Sequence, residues 1–229
     1  IEAGRTVAFN KNTGEKIWQT AKYECGYGSP CVFRHDDDLL IAVLNNDFLL
    51  VVRAEDGSEI AKTEWETQYN TNSTTPIVHD GQIFISTGYG KGCALFRLEE
   101  SALEYVYDNR DMRNHINNCV LWEGHLYGVD GQTSLARNCN VVCMDWATGK
   151  VKWEQRGMGC GSLLAAGGKL IILSDSGKLV LAELNPEKYS ELGGVDALSG
   201  KCWTVPVLAG GRIFCRNATG DLVCLDARN

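Results

Sequence analysis

The stretch Thr13-Gly14-Glu15-Lys16-Ile17-Trp18 returns later in the chain as Thr148-Gly149-Lys150-Val151-Lys152-Trp153, and this repetition decides the fold. A second repeated element is a tight turn followed by a short apolar strand, whose copies begin 43, 43, 44 and 43 residues apart. A steady period of this length is the signature of a repeat architecture. The five copies begin at Asp38, Gly81, Gly124, Gly168 and Gly211.

Each period contains four short apolar, β-branched or aromatic runs separated by Gly, Asp and Asn, a pattern typical of strands joined by hairpins. In the period over 69–110, the expected strands lie at about 75–79, 82–87, 92–98 and 103–107. Four strands in about 40–45 residues indicate one blade of a β-propeller. A solenoid of helix pairs contains too few strands, and a β-sandwich does not repeat. The sequence therefore predicts an all-β propeller of four-stranded antiparallel blades, with about five blades present.

The blade boundaries follow from this period. One propeller domain is expected over residues 1–229, and the counting gives 21 strands, one more than five blades require. The surplus favours an excerpt of a longer propeller over a complete five-bladed ring. The expected divisions are a partial blade at 1–22, blades at about 23–68, 69–110, 111–157 and 158–200, and a partial blade at 201–229.

Composition narrows the classes of partner. The 229 residues include 22 Lys and Arg against 29 Asp and Glu, which gives a net charge of -7. An acidic surface without a basic cluster repels a phosphate backbone, so nucleic-acid binding is not expected. No apolar run approaches the length of about 20 residues that spans a bilayer. The ten cysteines are spread through the strands, and their disulfide state is left open.

Three segments resemble one known repeat. The sequences VAFNKNTGEKIW at 7–18, VVCMDWATGKVKW at 141–153 and DLVCLDARN at 221–229 are similar to the PQQ-like, quinoprotein-type propeller repeat. That family includes the bacterial outer-membrane-assembly propeller and uncharacterised exported proteins. The resemblance implies a seven- or eight-bladed propeller and a periplasmic or secreted location. It specifies the repeat type much more closely than the function, because one fold supports many functions.

The resemblance also brings a cofactor into consideration. The catalytic branch of the family oxidises alcohols or sugars with pyrroloquinoline quinone (PQQ) held over calcium, and its alcohol dehydrogenases typically carry two adjacent cysteines at the cofactor face. No two cysteines are adjacent in this chain. PQQ with calcium is therefore implied by family resemblance alone, and we expect neither a cofactor nor a catalytic residue.

The candidate ligand-binding residues lead into the innermost strands. Innermost strands of a propeller surround its central channel, so their first residues gather at one mouth of that channel. The groups there are polar, aromatic or cationic, as expected where a ligand binds a concave surface. A water-filled channel capped by polar residues is the alternative. The candidate residues are Tyr27, Ser29, Asn72, Arg113, His115, Asn117 and Trp203.

Trp18 and Trp153 end the repeated Thr-Gly turns and are interpreted as structural. An indole at that position can pack between neighbouring blades while its N–H reaches a carbonyl. Cofactor stacking is the competing interpretation. Cys143 and Cys224 occupy the same repeat position as Ala8, which indicates buried, unreactive thiols. No metal site is expected, because Cys139 and Cys143 have no matching second pair of ligands.

Three functions remain open at this point. The leading hypothesis is a non-catalytic propeller in the bacterial envelope that binds a protein segment or a small ligand at the channel mouth. A PQQ- and calcium-dependent oxidoreductase, or a degenerate relative of one, is the first alternative. A carbohydrate-binding propeller is the second, with Tyr27, Tyr89 and Trp203 as stacking candidates.

Overall fold

The structure, a computed structural model, describes residues 4–228. Within these residues there are 21 strands, and the one helical segment is a 3₁₀ turn, Thr133–Asn138. No helix in this range is long and apolar enough to cross a membrane. The strands form separate antiparallel sheets in which consecutive strands are neighbours. This repetition of antiparallel sheets at the period of the sequence confirms the predicted all-β propeller class.

The chain divides into two compact units. The first contains residues up to 87 together with 93–108, and the second contains 88–92 and the residues from 109 onward. The first sheet of the chain pairs β1 (Val7–Phe9) with β2 (Lys16–Gln19). The second sheet contains β3 (Cys31–His35), β4 (Asp38–Leu44), β5 (Phe48–Arg53) and β6 (Glu59–Glu64). The third sheet contains β7 (Ile77–His79), β8 (Gln82–Thr87), β9 (Gly92–Glu99) and β10 (Ala102–Asn109).

The second unit continues with two four-stranded sheets and a three-stranded sheet. Its strands are β11 (Val120–Trp122), β12 (His125–Asp130), β13 (Asn140–Asp145), β14 (Val151–Gln155), β15 (Ser162–Ala166), β16 (Lys169–Leu173), β17 (Lys178–Glu183), β18 (Glu191–Asp196), β19 (Val207–Ala209), β20 (Arg212–Arg216) and β21 (Leu222–Asp226).

The turn between the first two strands of a blade explains the strongest sequence signal. In the β7–β8 turn, Asp80 has φ 47° and Gly81 has φ 69°, and Glu123 and Gly124 repeat this pair at 44° and 73° between β11 and β12. Two successive residues at positive φ characterise the type I′ turn, whose twist matches that of the two strands it joins. Glycine is favoured at the second position, which is why it recurs there.

The middle strands of the four-stranded sheets carry most of the core. In β5, residues Leu49, Leu50, Val51 and Val52 are all fully buried, although their side chains alternate between two faces. The largest buried side chains of the first unit include Phe84 and Phe96. Those of the second unit include Met112, Leu126 and Tyr127.

The third and fourth strands of the blades share a bulge next to the Trp position. Ala8 pairs with Trp18, and Cys143 pairs with Trp153. In both sheets the pairing register shifts directly after the small residue, that is, after Ala8 and after Cys143. A small side chain opposite the indole leaves room for the ring to lie across the sheet. This pairing accounts for the small residue that the repeat places at this position.

Candidate functional site

Tyr27 and Ser29 lie on the segment leading into β3, and both side chains are exposed, Tyr27 to 77 %. Their backbone is nevertheless fixed. The N–H of Tyr27 donates to the carbonyl of Asn72 at 2.7 Å, and the N–H of Ser29 donates to Oγ1 of Thr75 at 3.1 Å. A phenol ring that projects from a held backbone loses little further entropy when a partner covers it.

Asn72, by contrast, lies in the interior and is fully buried. Its Nδ2 donates to the carbonyls of Asn45 at 2.7 Å and Asn46 at 2.8 Å, and its Oδ1 accepts from the hydroxyl of Thr87 at 2.8 Å. Trp65 Nε1 donates to the same Thr87 hydroxyl at 2.9 Å. These bonds hold the loops beside the inner strand, so Asn72 positions Tyr27 through the Asn72 carbonyl and its own side chain faces no solvent.

A small pocket lies beside these residues of the first unit. Its volume is about 90 Å³, and its lining includes Gly26, Gly28, Pro30 and Asn45. Pockets that enclose a cofactor or a drug-sized ligand have about 300 Å³ or more. This pocket therefore does not accommodate a quinone cofactor.

Arg113 lies before the first strand of its blade and is engaged by Asp130. The carboxylate of Asp130 accepts from Arg113 Nε at 2.8 Å and from the Arg113 backbone N–H at 2.7 Å. The Arg113 side chain is 38 % exposed, whereas that of Asp130 is 9 % exposed. The hydrogen-bonded carboxylate raises the pKa of Arg113 and fixes the direction of its guanidinium. The remaining N–H groups of this guanidinium are left for an acceptor from outside.

His115 is half-buried and is held from two sides. Its ring meets that of Tyr89 edge to face, with centroids 4.5 Å apart and an interplanar angle of 89°. The backbone N–H of Thr133 donates to His115 Nδ1 at 3.2 Å, which requires that nitrogen to be unprotonated. Burial lowers the pKa of His115, so the neutral ring carries its proton on Nε2 near neutral pH.

Asn117 and Trp203 differ in how they are placed. Asn117 is buried, and its Nδ2 donates to the carbonyl of Gly161 at 3.0 Å, which joins neighbouring blades. Trp203 is 36 % exposed, and the ammonium of Lys201 lies 4.2 Å from its ring centroid. Trp203 thus presents an aromatic surface with a cation on one face, while Asn117 is a positioning residue.

Trp18 and Trp153 each make the same bond to a neighbouring sheet. Trp18 Nε1 donates to the carbonyl of Ala54 at 2.9 Å, and Trp153 Nε1 donates to that of Asn185 at 2.8 Å. In the first unit, Gly57 lies against the Trp18 ring, and a Cβ on Gly57 would be 2.5 Å from Trp18 Cε3. Each indole N–H is thus occupied by a backbone carbonyl of the neighbouring sheet.

One polar position recurs with the period of the repeat and is not among the candidate residues predicted from the sequence. A polar residue ends the second strand of a blade or follows it, and each is buried: Thr87, Asp130, Ser174 and Asn217. Their spacings are 43, 44 and 43 residues, the same as those of the hairpin turns. Each accepts hydrogen bonds that hold nearby backbone or side chains, as Asn217 Oδ1 does from the N–H groups of Thr219 and Asp221. The period itself was the signal that could have identified them.

The cofactor implied by the repeat is PQQ held over a calcium ion. Among residues 4–228, no three or more His, Cys, Asp or Glu side chains are grouped so that they could hold a metal ion. The Asp130 carboxylate, the one acidic group among these positions, is engaged by Arg113. The described residues therefore contain no cluster of carboxylates of the kind that holds calcium.

Comparisons with known proteins agree with the repeat. The model of the family described as outer membrane protein assembly factor BamB matches residues 2–132. No curated protein matches the sequence.

Solved structures with similar folds come from several sources. BamB from Moraxella catarrhalis aligns with a TM-score of 0.72 at 13 % identity, covering 97 % of this chain and 67 % of that chain. Saccharomyces cerevisiae Sqt1 aligns with a TM-score of 0.67 at 10 % identity, covering 97 % of this chain and 65 % of that chain. The computationally designed Ika8 protein aligns with a TM-score of 0.55 at 8 % identity, covering 99 % of this chain and 81 % of that chain. At these identities the likeness shows the fold alone. Because the family model matches more than half of the chain, the chain belongs to the family described as outer membrane protein assembly factor BamB.

Proposed function

We propose that this chain is a non-catalytic propeller of the bacterial envelope that binds a segment of another protein through the residues leading into its inner strands. The observation that carries the proposal is the combination of exposed side chains with a fixed backbone at Tyr27. An aromatic side chain, 77 % exposed, projects from a segment whose own N–H is bonded within the fold. Exposed aromatic anchors of this kind are enriched at protein interfaces.

The second unit contains further side chains that support the same proposal. Trp203 offers an aromatic face, and Arg113 offers the N–H groups that Asp130 does not use. His115 contributes an Nε2 donor on a ring held by Tyr89 and Thr133. An aromatic face, a fixed guanidinium and an imidazole donor together suit the backbone carbonyls and acidic side chains of a peptide.

The family assignment sets the type of protein for which this function is proposed. The description of the matching family names assembly of outer membrane proteins, which requires contacts with other proteins. A location in the periplasm or at the outer membrane is part of the same proposal. The small volume of the pocket beside Tyr27 also favours a protein segment lying on the surface over a ligand enclosed within it.

The test is site-specific photo-crosslinking in a bacterial envelope, followed by binding measurements. A photoreactive phenylalanine would replace Tyr27, Trp203 or, as a control, Tyr105, which is 53 % exposed on β10. We expect one protein to be crosslinked from positions 27 and 203 but not from 105. With that protein purified, Tyr27→Ala and Trp203→Ala should each weaken Kd at least about tenfold, as anchors at interfaces do. Tyr105→Ala should leave Kd unchanged.

Two outcomes would contradict the proposal. Equal crosslinking and equal losses of affinity at all three positions would show that the inner-strand loops are not the contact surface. Reduction of a dye by the purified chain with an alcohol or sugar, dependent on added PQQ and calcium, would show that the protein is catalytic. Thermal melting of each variant separates a loss of binding from a loss of folding.

A further inference from the structure

The last two strands of four sheets share one irregularity. In each sheet the pairing register shifts directly after one pair of residues, namely Ala8 with Trp18, Val51 with Ala61, Cys143 with Trp153 and Leu181 with Gly193. The shared shift makes Gly193 the structural equivalent of Trp18 and Trp153. The outer strand β18 therefore carries a glycine at the position where β2 and β14 carry an indole.

The space next to this position is filled in the other three sheets. The indoles of Trp18 and Trp153 extend to the next sheet and donate to backbone carbonyls there, at 2.9 Å and 2.8 Å. Ala61 is 3 % exposed and lies in one core cluster with the fully buried ring of Phe96. An indole, or burial in a core cluster that contains an aromatic ring, thus covers the position in each of these sheets.

At Gly193 the corresponding space is an open groove. It lies between β18 and the sheet of β19, β20 and β21, and it has a volume of about 660 Å³. Gly193 is exposed, Leu192 beside it is 47 % exposed, and Leu208 from the other sheet is 38 % exposed. The residues that line the groove in the described part of the chain are mostly aliphatic, and none of them is aromatic.

The groove is continuous with the packed interface between these two sheets. Ile171 and Leu179 from one sheet and Ile213 from the other line the groove. The same three residues belong to the core cluster that the two sheets share. A side chain that enters the groove therefore extends an interface that already exists within the second unit, and it removes aliphatic surface of both sheets from water.

The groove also offers a hydrogen-bond acceptor for an indole. Ala227, which lines the groove, directly follows β21, as Ala54 directly follows β5. The Ala227 N–H donates to the carbonyl of Gly211 at 2.9 Å. The Ala54 N–H makes the corresponding bond to Leu39 at 2.8 Å. Ala227 thus corresponds to Ala54, whose carbonyl accepts from the indole of Trp18.

We propose that this groove, the Gly193 groove, binds the side chain of a tryptophan presented by another protein. The indole fills the space beside Gly193, and its N–H donates to the carbonyl of Ala227, as the indole of Trp18 does to Ala54. Lys169, the charged residue of the lining, adds a cation, which favours an aromatic ring over an aliphatic side chain. The Gly193 groove runs along an outer strand, so this contact does not depend on the function proposed for the inner-strand loops.

The test uses the blocked tripeptide acetyl-Gly-Trp-Gly-amide, which is titrated into the chain while backbone amide chemical shifts are followed by NMR. We expect the amides of Gly193, Leu208 and Ala227 to shift, with a Kd of about 1 mM for a ligand of this size. The peptide with 1-methyltryptophan lacks the indole N–H and should bind about fivefold more weakly. The peptide with leucine in place of tryptophan should bind at least about tenfold more weakly.

Filling the groove from within gives an independent test. The φ of Gly193 lies outside the left-handed region, and a Cβ there would meet nothing within 4 Å, so Gly193→Trp is compatible with the strand. Gly193→Trp should melt about 3–8 °C above Gly193→Ala, because its ring fills the groove. It should also no longer bind the tripeptide. The control is Leu222→Trp, at a position that is 66 % exposed and outside the groove lining, and it should bind like the native chain.

Three results would overturn the proposal. Equal affinity for the tryptophan and leucine peptides would show that the groove does not select an indole. Undiminished binding to a folded Gly193→Trp would place the peptide elsewhere on the chain. Shifts of the groove amides that grow with protein concentration in the absence of peptide would show that a second copy of the chain occupies the groove. If Gly193→Trp does not fold, Leu208→Glu, which places a carboxylate in the groove, must lose peptide binding instead.

Discussion

Trp153 donates its indole N–H to the backbone carbonyl of Asn185, at 2.8 Å, across two consecutive sheets of the second unit. Trp18 makes the corresponding bond to Ala54 in the first unit, at 2.9 Å. The indole rings also pack against neighbouring side chains, as Trp153 does against Tyr189 with centroids 5.7 Å apart. At these two tryptophans the contact between sheets thus combines apolar burial with a directed hydrogen bond.

Replacing Trp153 separates these two contributions. Trp153→Phe retains an aromatic ring but leaves the Asn185 carbonyl without its donor, so we expect a loss of about 1–2 kcal/mol in the free energy of unfolding. Trp153→Ala also removes the packing and should cost about 3 kcal/mol or more. Urea unfolding monitored by circular dichroism gives both values. Phe and Ala variants of equal stability would show that packing of the ring contributes nothing.

Two turn glycines provide a matched pair for measuring steric contact with Trp18. Gly14 and Gly57 both have φ +74°, but a Cβ on Gly14 would meet nothing within 4 Å, whereas one on Gly57 would be 2.5 Å from the Trp18 ring. Gly14→Ala should cost about 1 kcal/mol from backbone strain alone. Gly57→Ala should cost about 3 kcal/mol because it also displaces the indole. Equal losses in urea unfolding would mean that the Trp18 ring moves without cost.

Asn72 is expected to be a stability determinant. Asn72→Ala removes the buried amide donor of the Asn45 and Asn46 carbonyls and the acceptor of the Thr87 hydroxyl, so the free energy of unfolding should fall by about 2–4 kcal/mol. Asn12→Ala, at an exposed position, is the control and should change it by less than about 0.5 kcal/mol. Comparable values for the two variants in urea unfolding would contradict the assigned role.

His115 should make stability depend on pH. Its pKa in the folded chain lies below the unfolded value of about 6.5 because burial disfavours the imidazolium. Above about pH 7 both states are neutral, and as pH falls through 6.5 the unfolded chain takes up a proton first. The difference in the free energy of unfolding between the native chain and His115→Gln should therefore be largest above pH 7. It should decrease as the pH falls from there to the pKa of His115 in the folded chain.

The measurement is urea unfolding of both proteins at intervals between pH 8 and pH 5. The two proteins differ only at position 115, so the difference between them isolates the contribution of His115. A difference that stays constant over this range would show that His115 titrates alike in the folded and unfolded chain.

The fold was predictable because its signals are local. A type I′ turn requires particular residues at two adjacent positions, and four of the hairpins meet this requirement, with the second residue at Gly81, Gly124, Gly168 and Gly211. The boundaries of single strands were less predictable. The strand expected at 75–79 begins at Ile77, and Thr75 instead uses its hydroxyl to accept from the N–H of Ser29. That partner is remote in sequence, so no local pattern reveals it.

The candidate site shows the same limit. A polar residue leading into an inner strand suits both a binding role and a role in holding the loops. Asn72 and Asn117 have their amides occupied by carbonyls at Asn46 and Gly161, which lie in other blades. Tyr27 and Trp203, by contrast, are exposed.

The 3₁₀ turn Thr133–Asn138 shows where this architecture tolerates changes of length. The ladder of β12 and β13 continues without interruption up to the pair Asp130 and Asn140, so residues 131–139 leave the sheet where the pairing stops. Leu135 and Arg137 face solvent, while the anchors Thr133 and Cys139 sit at the two ends of the loop. The exposed middle of this loop is the place to graft an epitope or a fluorescent tag, since an added segment there can report on the blade without entering its sheet.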